Sequence, residues 1–210
     1  MIDFPKSTYI HKRMPKEAFY KNLNLTAQLK EKFVSDVDRI YIENSLTGKN
    51  LNLEREEEIK EILVLTIELK KQEFDGKIIE AIAKQNPHKL LFVMCFEDNR
   101  QLAVFHGKLY CSPWMKQEEM ELKASGFSLD EIWEHFVEQI ALYEEQAEAT
   151  TELTIEERLA LQEQIVKLEK QIEKTEKAAW KEQQPKKRFD LYSRLQAYKK
   201  KLEELKHGES

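Results

Sequence analysis

The chain has 210 residues, of which 41% are hydrophobic and 10% aromatic. This composition is enough for one domain with an appendage, or for two small domains with buried cores. Charged residues make up 35%, but 34 Lys and Arg are balanced by 39 Asp and Glu, which excludes a polycationic nucleic-acid-binding protein. Five Gly and five Pro exclude collagen-like and Pro/Gly-rich disordered proteins.

No apolar segment approaches the roughly 20 residues that cross a bilayer, and the first residues lack the apolar stretch and cleavage site of an export signal. We therefore predict a cytoplasmic protein without membrane contact. Cys95 and Cys111 lie in strand-like apolar segments, which favours reduced thiols over a functional pair. The histidines show no metal-ligand spacing and no Gly-rich phosphate loop is present, so neither a metal nor a cofactor is predicted.

The amino-terminal segment is basic and aromatic. Lys12 and Arg13 are candidate nucleic-acid contacts, because cations beside aromatic rings suit phosphate contact and base stacking. The alternative, which we favour, is a segment whose rings pack on the domain while its lysines stay in water. Leu29 and Phe33 then follow Thr26 with the spacing of a short amphipathic helix over residues 26–36.

Two nearly continuous apolar runs, residues 62–67 and 90–96, flank a segment with helical spacing. This order predicts a right-handed βαβ crossover with two buried parallel strands. Apolar runs at 102–105 and 109–111 predict antiparallel strands, and Ser128 with Glu131 forms a capping-box signature for a further helix. Residues 1–147 are therefore predicted to form an α+β domain with a mixed β-sheet and flanking helices.

Glu68 and Lys70 are the candidate catalytic residues. They lie two positions apart at the end of the first long strand, so their side chains point to the same face. This arrangement resembles the E-x-K half-site of a metal-dependent nuclease, in which the acid binds the metal and the lysine steadies the attacking water or the phosphate. A second acid is required, for which Glu43 and the acidic run at 54–58 are candidates. The alternative, which we favour, is an ordinary polar strand end, because such short motifs arise by chance.

The carboxyl-terminal part, residues 153–206, is predicted to form an antiparallel helical (coiled-coil) hairpin, joined to the first domain by an apolar-poor link at 146–152. Pro185 is expected to end the first helix, which gives unequal arms at 153–184 and 187–206. Part of the longer arm's apolar seam then needs another partner, either the first domain or another chain, and an exposed apolar stripe of this kind is usually an interface. The predicted partner-binding residues follow a 3.5-residue repeat: Leu161, Ile165, Leu168, Ile172, Leu195, Tyr198 and Leu202.

The predicted turn of this hairpin is basic and contains aromatic residues. The candidate nucleic-acid contacts here are Trp180, Lys181, Lys186, Lys187 and Arg188. One interpretation is contact with phosphate and stacking on a base. The other is a solvated charged surface in which Trp180 packs at the end of the seam, and both remain open at this point.

Short sequence motifs run along nearly the whole chain. They are Phe4-Pro5-Lys6, Lys12-Arg13-Met14-Pro15-Lys16 with Phe19-Tyr20, Leu51-Asn52-Leu53, Leu69-Lys70, Pro87-His88 followed by Leu91-Phe92-Val93, and Glu182-Gln183-Gln184-Pro185-Lys186-Lys187. Through them the chain resembles a bacterial family described as domain of unknown function 4391. Residues 40–42 predict a short strand, and Tyr41 stands there in place of the tryptophan expected from the resemblance. The resemblance implies genes beside helicases and DNA methyltransferases in antiphage-defence or restriction-like clusters, and it supplies no catalytic residue.

Two functions of different classes are therefore predicted. The favoured one is a non-catalytic accessory subunit of a bacterial DNA-targeting defence or restriction-like complex. It would bind a helicase or methyltransferase partner, or a second copy of itself, through the helical hairpin, with DNA as a further contact. The alternative is a metal-dependent nuclease of restriction type that uses Glu68 and Lys70.

Overall fold

The computed structural model describes residues 2, 4–53, 58–143 and 153–207. The chain divides into two compact units, Met1–Tyr143 and Glu144–Ser210. Two features of the sequence lie outside the described residues. They are the predicted link at 146–152 and residues 54–57 of the acidic run at 54–58.

The described part of the first unit contains seven β-strands: β1 (Tyr9–Met14), β2 (Val37–Leu46), β3 (Ile62–Leu69), β4 (Lys89–Phe96), β5 (Asn99–His106), β6 (Lys108–Cys111) and β7 (Met115–Lys116). Its helices are α1 (Lys16–Asn22), α2 (Ala27–Asp36), α3 (Lys77–Lys84) and α4 (Leu129–Ala141). The strands form one sheet in the order β1-β2-β3-β4-β5-β6, with β7 paired to β5. Only β3 and β4, which α3 connects, are parallel among these pairs. The predicted mixed sheet with a βαβ crossover is confirmed.

The main core lies on one face of the sheet, beneath α2 and α3. Alternate residues of β3 and β4 point into it, and the helices contribute Phe33, Ile78 and Ile82. The other face of β3 and β4 is largely buried as well, with Val64 and Leu91 at 2% and 0% exposure. Burial on both faces explains why these two strands are nearly continuous apolar runs.

Side-chain caps fix the starts of two predicted helices. The Thr26 hydroxyl accepts a hydrogen bond from the Leu29 amide at 3.2 Å, and α2 begins at Ala27. Ser128 accepts from the Glu131 amide at 3.2 Å while the Glu131 carboxylate accepts from the Phe127 amide at 2.8 Å. Such caps satisfy amide groups that have no partner within the first helical turn. Because few residue types can do this, the cap residues indicate the helix starts in the sequence.

The amino-terminal segment is an edge strand of the sheet. β1 pairs with the middle of β2, from Ile40 to Asn44. β2 itself has ten residues, well beyond the short strand at 40–42 that its sequence indicates, because it pairs along its whole length with β3. Pro5 and Pro15 flank the segment, and between them the β-forming residues Tyr9 and Ile10 favour an extended chain. Lys12 and Arg13 therefore project from a strand.

The described part of the second unit is a hairpin of two helices, α5 (Ile155–Lys181) and α6 (Pro185–His207), which pack together as predicted. Thr154 and Glu157 form a reciprocal capping box at the start of α5. Pro185 is the first residue of α6, a position that suits proline because its missing N–H would have no helical partner there. The first helix therefore ends at Lys181 rather than at residue 184, and the second begins at Pro185 rather than at residue 187.

The two arms of the hairpin are nearly equal. α5 has 27 residues and α6 has 23, so they differ by four residues. This corrects the prediction that a long first arm, 153–184, faces a much shorter second arm. None of the helices in the described ranges combines the length and apolar character that a membrane span requires.

Candidate functional site

The predicted partner-binding residues lie along the two packed helices of the hairpin. Ile165, Leu168 and Leu195 are buried. The other four are half-buried: Leu161, Ile172, Tyr198 and Leu202. Since the arms are nearly equal, α6 accompanies α5 for most of its length, and unequal arms no longer indicate an apolar seam that requires a second protein.

The hairpin tip, defined as residues 180–189, exposes two aromatic side chains. Trp180 lies in the last turn of α5 and Phe189 near the start of α6, and they are 78% and 71% exposed. Ala179, directly before Trp180, is completely buried. The apolar interior of the hairpin therefore ends at Ala179, and the interpretation in which Trp180 packs at the end of the seam is wrong.

Four cations surround these aromatic residues: Lys181, Lys186, Lys187 and Arg188. All four are exposed, and none forms an ion pair with another residue in the part of the chain that the structure describes. Glu182, the one acid of the tip sequence, accepts a hydrogen bond from the Gln184 amide at 2.9 Å. Along the arms, by contrast, Lys177, Lys199 and Lys206 each pair with a glutamate.

The start of α6 reinforces the positive charge of the tip. The first turn of this helix contains no acid, whereas Lys186 and Lys187 follow Pro185 directly. A helix amino terminus carries partial positive charge, so each cation placed there costs about 0.3 to 1 kcal/mol where an acid would stabilise it. These cations therefore destabilise the start of α6, and the positive potential that they create there is suited to a bound anion.

The candidates in the first unit are two exposed residues of β1. Lys12 lies opposite Ile42 and Arg13 opposite Tyr41 in the pairing with β2. Neither cation has an ion-pair partner among the residues that the structure places. Because directly paired residues share a face of the sheet, Arg13 lies on the same face as the Tyr41 ring.

That face of the sheet carries a groove of about 500 Å³. It lies on the side opposite to the α2 and α3 core and reaches the carboxyl ends of the parallel strands β3 and β4, a common place for ligand sites in sheets of this kind. Its lining includes both apolar and charged side chains: Ile2, Phe4, Lys6, Tyr9, Glu43, Asn44, Val64, Thr66, Glu68, Val93, Cys95, Arg100, Gln117 and Met120.

One row of paired residues crosses four strands at the polar end of this groove. In order from β2 to β5 the row is Arg39, Glu68, Cys95 and Arg100. The Arg39 Nη1 atom lies 3.6 Å from a Glu68 carboxylate oxygen. Burial raises the pKa of the Cys95 thiol to about 11, although the nearby Arg100 lowers it. Cys95 therefore stays a neutral thiol near neutral pH and is a poor nucleophile.

The structure brings Glu68 into the groove but directs Lys70 elsewhere. The Lys70 Nζ donates a hydrogen bond to the Val34 carbonyl at 2.9 Å, and this residue does not line the groove. Glu43 does line it, and its carboxylate lies 2.9 Å from His11 Nδ1. Within the described ranges, no three His, Cys, Asp or Glu side chains form a group that could hold a metal ion. The structure therefore places Glu68 and a second acid, Glu43, along the same groove, but not Lys70.

Sequence reasoning gives the groove residue Arg100 no role, and it includes Lys6 and Tyr9 only as members of the basic, aromatic amino-terminal segment. The polar residues 97–100 favour a turn in the sequence, yet Arg100 is the second residue of β5 and forms the end of the charged row. The row depends on the register of three strand pairs, β2 with β3, β3 with β4 and β4 with β5, and the first of these is irregular between Val37 and Arg39. Such register leaves no local signal in the sequence. A basic residue directly after a polar turn is the only indication that the sequence offers.

The comparison with family models matches residues 2–202 to "Domain of unknown function (DUF4391)". The chain belongs to this family. Comparison with curated proteins and with solved structures finds no match in either case. The DUF4391 match extends over the groove of the first unit and the tip of the second.

Proposed function

We propose that this DUF4391 protein is a non-catalytic accessory subunit of a bacterial DNA-targeting defence or restriction-like complex, and that it contacts nucleic acid through the hairpin tip. The observation that carries this proposal is the pair of exposed rings, Trp180 and Phe189, beside four cations that form no ion pair with any residue the structure describes. The gene neighbourhood implied by the family resemblance supports the kind of complex, with a helicase or methyltransferase as the protein partner.

Charge complementarity makes a nucleic acid the natural occupant of the tip. Lys186, Lys187 and Arg188 lie in the first turn of α6, where they concentrate positive charge that attracts phosphates. Exposed aromatic rings cost solubility in a monomer, whereas on a nucleic acid they stack on unpaired bases. A protein partner would require an apolar patch with few charges at its centre, which this tip does not offer.

The hairpin also supports the proposal by its length. Its shorter arm of 23 residues extends about 35 Å at 1.5 Å per residue. Packing between α5 and α6, with Leu168 and Leu195 buried, keeps the two arms together. The tip thus lies at one end of a stiff pair of helices, which suits contact with a strand held by a partner enzyme.

The first experiment measures binding of a fluorescently labelled oligonucleotide by anisotropy. In the double variant Lys186→Glu/Lys187→Glu, affinity is expected to fall about tenfold or more, because two phosphate contacts become repulsive. The matched control is Lys170→Glu/Lys174→Glu, which makes the same charge change at exposed positions within α5. Equal losses in the two variants, or no binding by the unaltered protein, would contradict the proposed contact.

The protein partner is tested by co-expression with the helicase or methyltransferase encoded beside the gene. A stable complex is expected on size-exclusion chromatography. Since the tip is assigned to nucleic acid, the Lys186→Glu/Lys187→Glu variant is expected to retain that complex. Elution of the two proteins as separate species would contradict the accessory role.

The shared groove position of Glu43 and Glu68 favours a second candidate function, a metal-dependent nuclease. Each acid already has a basic neighbour, His11 and Arg39 respectively, which weakens this candidate. The test is incubation of DNA with the protein and Mg²⁺ or Mn²⁺. Cleavage that disappears in Glu68→Gln, with the fold intact by circular dichroism, would replace the accessory role with the nuclease.

A further inference from the structure

We infer that the groove of the first unit is a binding site for a nucleotide, with Arg100 and Lys6 holding the phosphate and Tyr9 stacking on the base. This site is separate from the hairpin tip, and it does not depend on the function proposed for the tip. Its volume of about 500 Å³ lies within the range of small-molecule sites, roughly 300 to 1,000 Å³.

Arg100 is held in place for anion binding. Its Nη1 atom donates to the Glu97 carbonyl at 2.7 Å and to the Asn99 carbonyl at 2.8 Å, and Nη2 donates to Gln117 Oε1 at 2.7 Å. A guanidinium has five N–H donors, so two remain for a ligand. A fixed guanidinium loses little side-chain entropy on binding, which makes it an effective phosphate receptor.

Lys6 supplies a second cation on the same groove. Its side chain is exposed and forms no ion pair with any other described residue, so its charge is available to a ligand. The two carboxylates of the groove already have partners, since Glu68 lies 3.6 Å from the Arg39 guanidinium and Glu43 lies 2.9 Å from His11 Nδ1. The groove therefore tolerates an anion although it contains acids.

An aromatic ladder provides the wall for the base. His11 lies stacked on Tyr9, with ring centroids 5.7 Å apart and an interplanar angle of 10°, and Tyr41 continues the stack at 5.3 Å and 8°. This support covers one face of the Tyr9 ring, while the residue stays 61% exposed. The free surface of Tyr9 lines the groove, where stacking of a base contributes about 1 to 3 kcal/mol.

The polar groups near Tyr9 suit the edge of a base. Asn44 lies opposite Tyr9 in the strand pairing and lines the groove together with Thr66. Its side-chain nitrogen donates to the Thr8 hydroxyl at 2.9 Å, which leaves its carbonyl oxygen as an acceptor. The same phosphate and ring could come from a free nucleotide or from the terminal nucleotide of a strand.

The test is isothermal titration calorimetry of the full chain with each common nucleoside 5′-monophosphate. The comparison ligands are the unphosphorylated nucleosides and inorganic phosphate. We expect one or more monophosphates to bind, and both comparison ligands to bind about tenfold more weakly. Arg100→Gln is expected to reduce affinity about tenfold, and Tyr9→Leu several-fold. The matched controls are Arg194→Gln in α6 and Tyr143→Leu, both at exposed positions away from the groove lining.

Because Arg100 also bonds two carbonyl groups, Lys6→Gln serves as a second variant that leaves those bonds intact. Strand ends are tested with a 5′-phosphorylated oligonucleotide and its 5′-hydroxyl counterpart. The protein for this test is the Lys186→Glu/Lys187→Glu variant, in which binding at the tip is weakened. Binding of either source that depends on Arg100 and Lys6 supports the inference. No binding of any probe at millimolar concentration, or binding unchanged in both variants, would overturn it, whatever the result at the tip.

Discussion

At the scale of single residues, Asp36 is the clearest case of a buried charge with a defined role. It is 2% exposed at the end of α2. Its carboxylate accepts hydrogen bonds from the Lys71 ammonium at 2.8 Å and from the Ser35 hydroxyl at 2.6 Å. Burial acts to raise the pKa of Asp36, but the bonds from Lys71, Ser35 and the Asp75 amide outweigh it, and the pKa is lowered. The contacts link α2 to the segment between β3 and α3.

Asp36→Asn is therefore expected to destabilise the first unit by about 2 kcal/mol near pH 7, because hydrogen bonds to a buried charge are lost. A carboxylate with a lowered folded-state pKa stabilises the fold above its unfolded value and loses that contribution as pH falls through the folded value. The difference between the two proteins should thus shrink below about pH 4. Urea unfolding at several pH values measures it.

The control for this prediction is Asp38→Asn. Asp38 is exposed and lies 3.5 Å from the Arg39 guanidinium, an arrangement worth less than about 1 kcal/mol. A constant difference between Asp36→Asn and the unaltered protein across the acid range would mean that Asp36 does not stabilise the fold as a charged group.

At the scale of elements, the sequence predicts the helices α2 and α4 but does not predict the edge strand β1. α2 and α4 were predictable because Thr26 and Ser128 cap them and their apolar spacing is local. β1 has an almost wholly exposed pattern, so it lacks the alternation that marks a strand. Its identity depends on pairing with β2, about 30 residues later in the chain. The groove shares this dependence, because Arg39 and Arg100 meet the same row only through strand register.

The hairpin seam gives a prediction at the same scale. Leu168 is 7% exposed on α5, so Leu168→Asp places a charge inside the packed pair of helices. We expect the hairpin to lose several kcal/mol of stability, with reduced helix content and an earlier thermal transition. Circular dichroism during heating is the measurement, and Lys170→Asp, on the exposed side of α5, is the matched control.

A contrasting result would restore the original interpretation of the seam. If Leu168→Asp leaves the helix content and transition unchanged but converts a dimer into a monomer in sedimentation, the seam is an interface between chains. The near-equal arms of α5 and α6 make the first outcome the expected one.

At the scale of the whole molecule, charge is segregated rather than merely balanced. The formal net charge is −5, yet the tip holds four cations and one acid within ten residues. A polyanion is therefore repelled by the chain as a whole and attracted at one place. Such a distribution favours an oriented encounter over general adhesion.

Salt dependence is the corresponding prediction. If all four cations contact phosphates of a single strand, the logarithm of the binding constant should fall against the logarithm of salt concentration with a slope of roughly −3. Replacing Lys186 and Lys187 should reduce that slope by about half. Anisotropy titrations between about 50 and 200 mM salt measure it. A slope near zero would mean that the tip binds without neutralising phosphates.

The unequal environments of the tryptophans have a practical consequence. Trp133 is 3% exposed and Trp114 is half-buried, whereas Trp180 stands 78% open to water among cations. Iodide, an anionic quencher, should concentrate around the Trp180 indole and quench its red-shifted fluorescence before that of the other tryptophans. The unlabelled chain thus carries its own optical sensor, and a strand that settles over the ring would shield it from the quencher.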